Sequence, residues 1–112
     1  LISTITGIQI AILVTEPSTS AQSDLQRLIT LCRSFHVRMF LVINRSDVNL
    51  NITADILRVA AENEIPVLGL IPFDRTVLNA TRQGVPVTRM SGAASEAIRQ
   101  ITQNLSQELD LL

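Results

Sequence analysis

The chain has 112 residues, a net charge of −1 and one cysteine. This length suits one domain with one core, so we expect residues 1–112 to form a single domain. The weak negative charge argues against nucleic acid or an anionic membrane as partners. Charged residues are only 17% of the chain and hydrophobic residues 46%. Either the chain is unusually well buried, or part of its apolar surface serves another polypeptide.

The residue types present exclude several kinds of chemistry. All nine basic residues are arginine, so neither a phosphate-gripping P-loop lysine nor a Schiff-base lysine exists in this sequence. One histidine and one cysteine cannot form a zinc site of Cys and His ligands. We predict no metal site and no catalytic residue. With no membrane-length apolar run and no basic leader, we expect a cytoplasmic protein.

Three short apolar runs predict strands, at residues 8–14, 39–43 and 67–71. They lack strict alternation and are separated by helical stretches, which is typical of a parallel sheet covered on both faces. We therefore predict an α/β fold with three layers and about three parallel strands with flanking helices. Residues 1–6 have the composition of a helix end without its body, which predicts a chain that begins within an element.

Helical periodicity connects the predicted strands. The first helix, of about 17 residues, begins with a capping box of Thr19 and Gln22. Its predicted apolar face consists of Leu25, Leu28, Ile29, Cys32 and Phe35. A second amphipathic helix spans about residues 52–64 and ends before Pro66.

Further elements follow the third predicted strand. A short helix at about residues 75–83 is stopped by Gly84, and residues 85–87 are extended. Ser91 is the predicted cap of a final amphipathic helix.

Polar segments follow all three predicted strands, at the carboxyl end where open α/β sheets bind ligands. The second reads Asn-basic-x-Asp, from Asn44 to Asp47. An asparagine offers the donor and acceptor that a purine edge needs, and an aspartate accepts from ring and exocyclic N–H groups. The alternative is a structural turn, in which Asn44 caps the strand and Asp47 or Asn51 starts the next helix.

The ordered combination of residues 6–49, 65–77 and 83–87, followed by a helix rich in small residues, resembles the C-terminal half of MinD/ParA-type P-loop ATPases. The resemblance is to the CobQ/CobB (cobyrinic acid diamide synthase) group, in its subgroup with an inserted ferredoxin domain. It implies that Asn44 contacts adenine and that Arg45 packs near the base. The loop of Pro72, Phe73 and Asp74 would close over the other side.

The same resemblance leaves the choice between adenine and guanine open, because Asp47 stands where related GTPases carry a guanine-reading aspartate. It also implies that the loop of Glu16, Pro17 and Ser18 lies where family dimers face each other, close to the partner's nucleotide. Members of the family hold phosphates and magnesium with a Gly-Lys-Ser/Thr loop and an Asp-x-x-Gly segment, and this sequence contains neither.

These matches and departures predict a base-binding half of an ATPase that does not hydrolyse ATP alone. ATP or ADP with Mg²⁺ would bind once the missing N-terminal half is joined, and iron–sulfur clusters would belong to that missing part. The family's sheet implies a neighbour beside residues 8–14, and an unpaired strand edge pairs with other chains. We therefore expect a homo-oligomer formed through this edge or an apolar face. The alternative is a non-catalytic α/β interaction or dimerisation module.

Overall fold

The computed structural model describes residues 2–5, 7–74, 84 and 92–111. Within them the chain forms, in order, β1 (Ile2–Ile5), β2 (Ile8–Thr15), α1 (Thr19–Ser34), β3 (Arg38–Asn44), α2 (Leu50–Glu62), β4 (Val67–Ile71) and α3 (Ala93–Asp110). The sheet order is β1-β2-β3-β4, with β2, β3 and β4 parallel and β1 antiparallel. The predicted α/β fold with three parallel strands is confirmed. The helix and extended segment predicted at 75–83 and 85–87 lie outside the described residues.

Helices cover both faces of the sheet, as the unbroken apolar strands require. Successive residues of a strand point to opposite faces, so β3 contributes to two separate cores. The core with α1 and α2 contains Leu13, Leu41, Ile43, Ile29 and Ile56. The core under α3 contains Ile10, Phe40, Val42 and Leu68, with Ile101, Leu105 and Leu109 packed against it.

Helix α3 approaches β4 closely because Gly69 has no side chain. A Cβ at this position would lie 2.5 Å from Cγ1 of Ile101. Asn104 then donates from Nδ2 to the carbonyl of Leu68 at 2.6 Å, which fastens the helix to the strand. The glycine at position 69 of β4 therefore allows α3 to pack directly on one face of the sheet.

The prediction of a helix end at residues 1–6 is wrong, because residues 2–5 form strand β1. It pairs with β2 from Ile5↔Ile8 to Ile2↔Ala11. The hairpin turns at Gly7, whose φ of +81° favours glycine. The expectation that β2 lacks a neighbour is corrected accordingly: β1 pairs with its first half. Within the described residues, the paired register does not extend to residues 13–15 of β2.

The helix caps differ in detail from the prediction. Ser18, not Thr19, caps α1, and its hydroxyl accepts from the amide of Ala21 at 3.2 Å. Asn49, rather than Asp47 or Asn51, caps α2. These short polar side chains satisfy N–H groups that the first helical turn leaves without partners.

The cap of α3 is Gly92, which offers no side chain, so the predicted cap at Ser91 is wrong. The amide of Ala94, in the first turn of α3, instead donates to the side chain of Asp74 in the loop after β4. Two residues past the end of α1 and of α2, His36 and Glu64 adopt the left-handed conformation. In each case the following buried residue, Val37 or Ile65, bonds back to the helix.

The predicted apolar face of α1 is only partly buried. Leu25, Ile29 and Cys32 lie in the core, as expected. Leu28 and Phe35 are 42% and 67% exposed, and both line an apolar groove between α1 and β2. None of the helices in the described residues is long and apolar enough to cross a membrane.

Candidate nucleotide-base site

The loop after β3 turns sharply at Arg45, which adopts a left-handed conformation with φ of +52°. This conformation costs a non-glycine residue about 1 kcal/mol. The side chain of Asn44 supports it, because Oδ1 accepts from the amide of Arg45 at 3.0 Å. The turn brings Ser46 back against β4, where its amide donates to the carbonyl of Ile71 at 3.0 Å. The strained residue thus lies within the loop after β3, one of the two loops of the predicted base site.

The loop after β4 is fastened to the loop after β3 by a side chain. The amide of Phe73 donates to Oδ1 of Asp47 at 2.8 Å. The guanidinium carbon of Arg45 lies 5.5 Å from the centre of the Phe73 ring, within cation–π range. The ring of Phe73 is 47% exposed. The predicted residues Asn44, Arg45, Asp47 and Phe73 therefore come together beyond the ends of β3 and β4.

A buried hydroxyl supports this pair of loops from below. Thr53, in the first turn of α2, donates from Oγ1 to the carbonyl of Ser46 at 2.7 Å. Both residues are buried. Sequence reasoning missed Thr53, although a signal exists. It lies on the same helical face as Ile56 and Ala60, and a polar residue on a buried apolar face needs a hydrogen-bond partner.

Asp74 takes part in a different contact. Its Oδ2 accepts from the amide of Ala94 at 3.1 Å, so the carboxylate lies at the N-terminus of α3. This supplies the side-chain acceptor that Gly92 lacks and places negative charge at the positive end of the helix dipole. Pro72, which precedes Phe73, is half-buried. Asp74 thus ties the loop to α3, whereas Phe73 is the member of the loop that offers an exposed ring.

A cavity of about 340 Å³ lies on the β2 side of Asn44. Its lining residues are Val14, Thr15, Glu16, Ala21, Asp24, Leu25, Leu28 and Asn44. Two carboxylates and no cation line it, which disfavours an anion such as phosphate. Thr15 is 8% exposed, and its hydroxyl has no hydrogen-bond partner among the described residues.

The loop predicted to face a partner contributes one residue to this cavity. Glu16 is exposed and lines it. Pro17 is buried, and the side chain of Ser18 is engaged as the cap of α1. Asn44 is therefore the residue shared between the cavity with Glu16 and the loop pair with Phe73.

A larger apolar groove of about 600 Å³ runs along β2 and α1. We call it the β2/α1 groove; its lining residues are Gln9, Ala11, Ile12, Leu13, Val14, Leu28, Leu31, Cys32, Phe35 and Val37. Several of them are far from buried: Val14 is 64% exposed, Leu31 53% and Phe35 67%. No group of three or more His, Cys, Asp or Glu residues that could hold a metal ion occurs in the described part of the chain.

Two characterised proteins are similar to the chain in sequence. It is 30% identical over 103 residues to the cytosolic Fe-S cluster assembly factor Nubp1 homolog of Drosophila grimshawi, covering 81% of this chain and 33% of that protein. It is 26% identical over 109 residues to the septum site-determining protein MinD of Helicobacter pylori, covering 88% of this chain and 41% of that protein. The chain thus spans about a third to two-fifths of these relatives. No protein-family model matches it.

Solved structures give the same answer for the fold. The MinD cell division protein of Aquifex aeolicus superposes with a TM-score of 0.72 at 22% identity, over 88% of this chain and 44% of that one. The septum site-determining protein MinD of Pyrococcus horikoshii, solved with Mg-ADP, gives 0.71 at 18% identity, over 91% and 43%.

The superposed structures show that the chain has part of the α/β fold of the P-loop NTPase MinD. In sequence it is similar to part of MinD/ParA-type P-loop ATPases. The predicted resemblance to MinD/ParA-type P-loop ATPases is therefore confirmed.

Proposed function

We propose that this chain is the part of a MinD/ParA-type ATPase that binds the nucleotide base. The observation that supports it best is the joining of the two loops beyond β3 and β4. Asn44 and Phe73 lie in these two loops, which the hydrogen bond from the Phe73 amide to Asp47 joins at 2.8 Å. In the proposal, Oδ1 of Asn44 accepts from the exocyclic amine of adenine and Nδ2 donates to a ring nitrogen. The paired Arg45 and Phe73 supply a planar surface beside it.

The expected affinity of such a site is low. Stacking on an aromatic ring contributes about 1–3 kcal/mol per base, and a bidentate amide contact contributes a similar amount. A dissociation constant of 1 mM corresponds to about 4 kcal/mol, so a site that holds only the base binds in the millimolar range. Tight ATP binding needs phosphate contacts, and the sequence has no lysine to make the P-loop contact.

The test compares adenosine with ATP on the 112-residue chain by NMR titration. Because the proposed site holds the base alone, both should bind with millimolar constants within about threefold of each other. ATP binding tenfold or more tighter than adenosine, or ATP turnover by this chain, would contradict the proposal.

A matched pair of variants locates the binding. Asn44→Asp keeps the oxygen that accepts from Arg45 but removes the donor of the side chain. We expect it to weaken adenosine binding about fivefold or more. Asn51→Asp makes the same change at an exposed position in α2 and should leave binding within about twofold. Equal effects of the two variants would place the base elsewhere.

The remaining requirements for ATPase activity are proposed to lie outside these residues. Mg²⁺ and the phosphates of ATP or ADP would be held by the preceding half of the ATPase domain, which carries the glycine-rich and Asp-x-x-Gly segments in the family. The Pyrococcus horikoshii relative was solved with Mg-ADP, which supports this assignment of the cofactor. The similarity to a cytosolic Fe-S cluster assembly factor supports a further part of the proposal. The complete protein would belong to the CobQ/CobB-related group, have an iron–sulfur role and lie in the cytoplasm.

The β2/α1 groove is proposed to be covered by that same preceding half. The groove runs along β2 from Gln9 to Val14. Its part at residues 13–14 lies beyond the paired register of β1 in the described residues, so a strand edge and an apolar face occur there together. The chain spans only about two-fifths of its structural neighbours. In the proposal, the remaining part of such a domain is large enough to cover the groove.

A second candidate function is a non-catalytic interaction module in which another copy of this chain covers the groove. The observation that favours it is the exposure of Val14, Leu31 and Phe35 on one continuous groove. In that case the chain dimerises through the groove and does not bind adenosine. Self-association is also expected to a weaker extent for the base-binding part alone, since its groove is uncovered.

A further inference from the structure

The contacts between β3 and β4 change partners just past the ends of the strands. In a parallel ladder, a residue that donates to one carbonyl accepts from the amide two residues further along the neighbouring strand. Ser46 donates to the carbonyl of Ile71 at 3.0 Å, so regular pairing would bring the amide of Phe73 to the carbonyl of Ser46. The structure departs from this pattern at Phe73.

Two side chains replace the expected backbone bond. The amide of Phe73 donates to Oδ1 of Asp47 at 2.8 Å. The carbonyl of Ser46 accepts from the hydroxyl of Thr53 at 2.7 Å. The left-handed conformation of Arg45 interrupts the extended backbone just before this point. Asp47 thus connects the two loops about one residue beyond the sheet, and Thr53 joins the first of them to α2.

We propose that Asp47 is a positioning residue, whose carboxylate holds Phe73 in the base site instead of reading the base. This inference rests on the proposed base-binding function and deepens it. An aspartate that reads guanine uses its two oxygens for the ring N–H and the exocyclic amine. One oxygen of Asp47 already accepts from Phe73, 26 residues away along the chain. In this proposal the bond to the Phe73 amide sets the direction of the Asp47 carboxylate, and base selection falls to Asn44.

The first test needs no ligand and measures hydrogen exchange of the Phe73 amide in the free chain. Asp47→Ala removes the acceptor, so exchange at Phe73 should become about tenfold faster or more. Asp47→Asn retains an acceptor oxygen and should stay within about threefold of the wild type. Asp55→Ala is the matched control, because this exposed carboxylate bonds only to Arg58 among the contacts of α2.

An unchanged Phe73 amide in Asp47→Ala would overturn the inference. So would equally fast exchange in Asp47→Asn and Asp47→Ala, since the acceptor oxygen would then be irrelevant.

The second test measures base selection with guanosine and inosine, which lacks the exocyclic amine of guanosine. A positioning role predicts affinities within about threefold of each other, and the same ratio in Asp47→Asn. A base-reading role predicts that guanosine binds about tenfold tighter or more, and that Asp47→Asn abolishes the difference. That second result would overturn the inference.

Adenosine separates the inference from the proposed function. Asp47→Ala should weaken adenosine binding about threefold or more, while Asp47→Asn stays within about twofold. If adenosine does not bind the wild-type chain, the proposed function fails. The exchange rate of Phe73 still decides whether Asp47 positions that loop.

Discussion

The two sides of β3 differ in how their surfaces are held: the β4 side by hydrogen bonds between loops, and the β2 side by an apolar surface that stays exposed. On the β4 side, Ser46 donates to Ile71 and Phe73 donates to Asp47, while Thr53 holds the loop after β3 against α2. On the β2 side, α1 leaves Leu31 and Phe35 exposed along a groove of about 600 Å³. The first side is held by contacts within the described residues, whereas the second has exposed apolar surface without a partner among them.

This difference shows that the loops after β3 and β4 can be held by local hydrogen bonds while the β2/α1 groove stays exposed. Polar loops become rigid through local hydrogen bonds, because a buried polar group without a partner is costly. An apolar surface gains only when something covers it. Single substitutions in the loops after β3 and β4 should therefore change the free energy of unfolding. Substitutions in the β2/α1 groove should mainly change self-association.

The largest effect on this comparison is expected from Thr53→Val. The substitution keeps the shape but leaves the buried carbonyl of Ser46 without its donor, which should cost about 1–3 kcal/mol. Urea unfolding measures the change. Thr102→Val is the control, because Thr102 bonds to a carbonyl within the exposed side of α3 and should change stability by less than about 0.5 kcal/mol. Equal losses would mean that the bond to Ser46 adds nothing.

A smaller effect is expected from Asp74→Ala, which removes the side-chain acceptor at the first turn of α3. Loss of such a contact typically costs about 0.5–2 kcal/mol. Asp55→Ala removes an exposed carboxylate paired with Arg58 and should cost about 0.5 kcal/mol or less. If Asp74→Ala costs no more than this control in urea unfolding, the loop after β4 is not fastened to α3 by Asp74.

The smallest effect on stability is expected in the groove. Leu31 is 53% exposed, so Leu31→Ser should change the free energy of unfolding by about 0.5 kcal/mol or less. Leu25→Ser, at a leucine that is 3% exposed on the same helix, should cost several times more. Leu31→Ser should also reduce self-association in sedimentation at high concentration. A wild-type chain that is strictly monomeric there would contradict an adhesive groove.

Much of the fold could be predicted from the sequence because the three apolar runs are buried on both faces. Each run matches a parallel strand, and the periodicity of α2 and α3 identifies their inner faces. The first strand was missed, although its β-branched residues, including Ile2 and Thr4, before Gly7 are typical of a hairpin. Leu28 and Phe35 belong to the predicted apolar face of α1 but are exposed, because an amphipathic pattern shows which face is apolar and not whether anything covers it.

The site could be predicted only in part. Asn44, Arg45 and Phe73 were identified from a pattern and a resemblance, and the structure brings them together. The contacts of Asp47 with Phe73 and of Asp74 with Ala94 span 26 and 20 residues. Contacts of this length depend on the register between strands and on the position of α3. No local sequence pattern encodes them.

Residue-resolved NMR during an adenosine titration of the 112-residue chain tests the central claim most directly. The account predicts that the amide signals of Arg45, Ser46 and Phe73 shift most, with a millimolar dissociation constant, while those of Leu31 and Phe35 in the β2/α1 groove stay unchanged. Shifts that are largest in the groove, or absent from the loops after β3 and β4 at saturating adenosine, would contradict it.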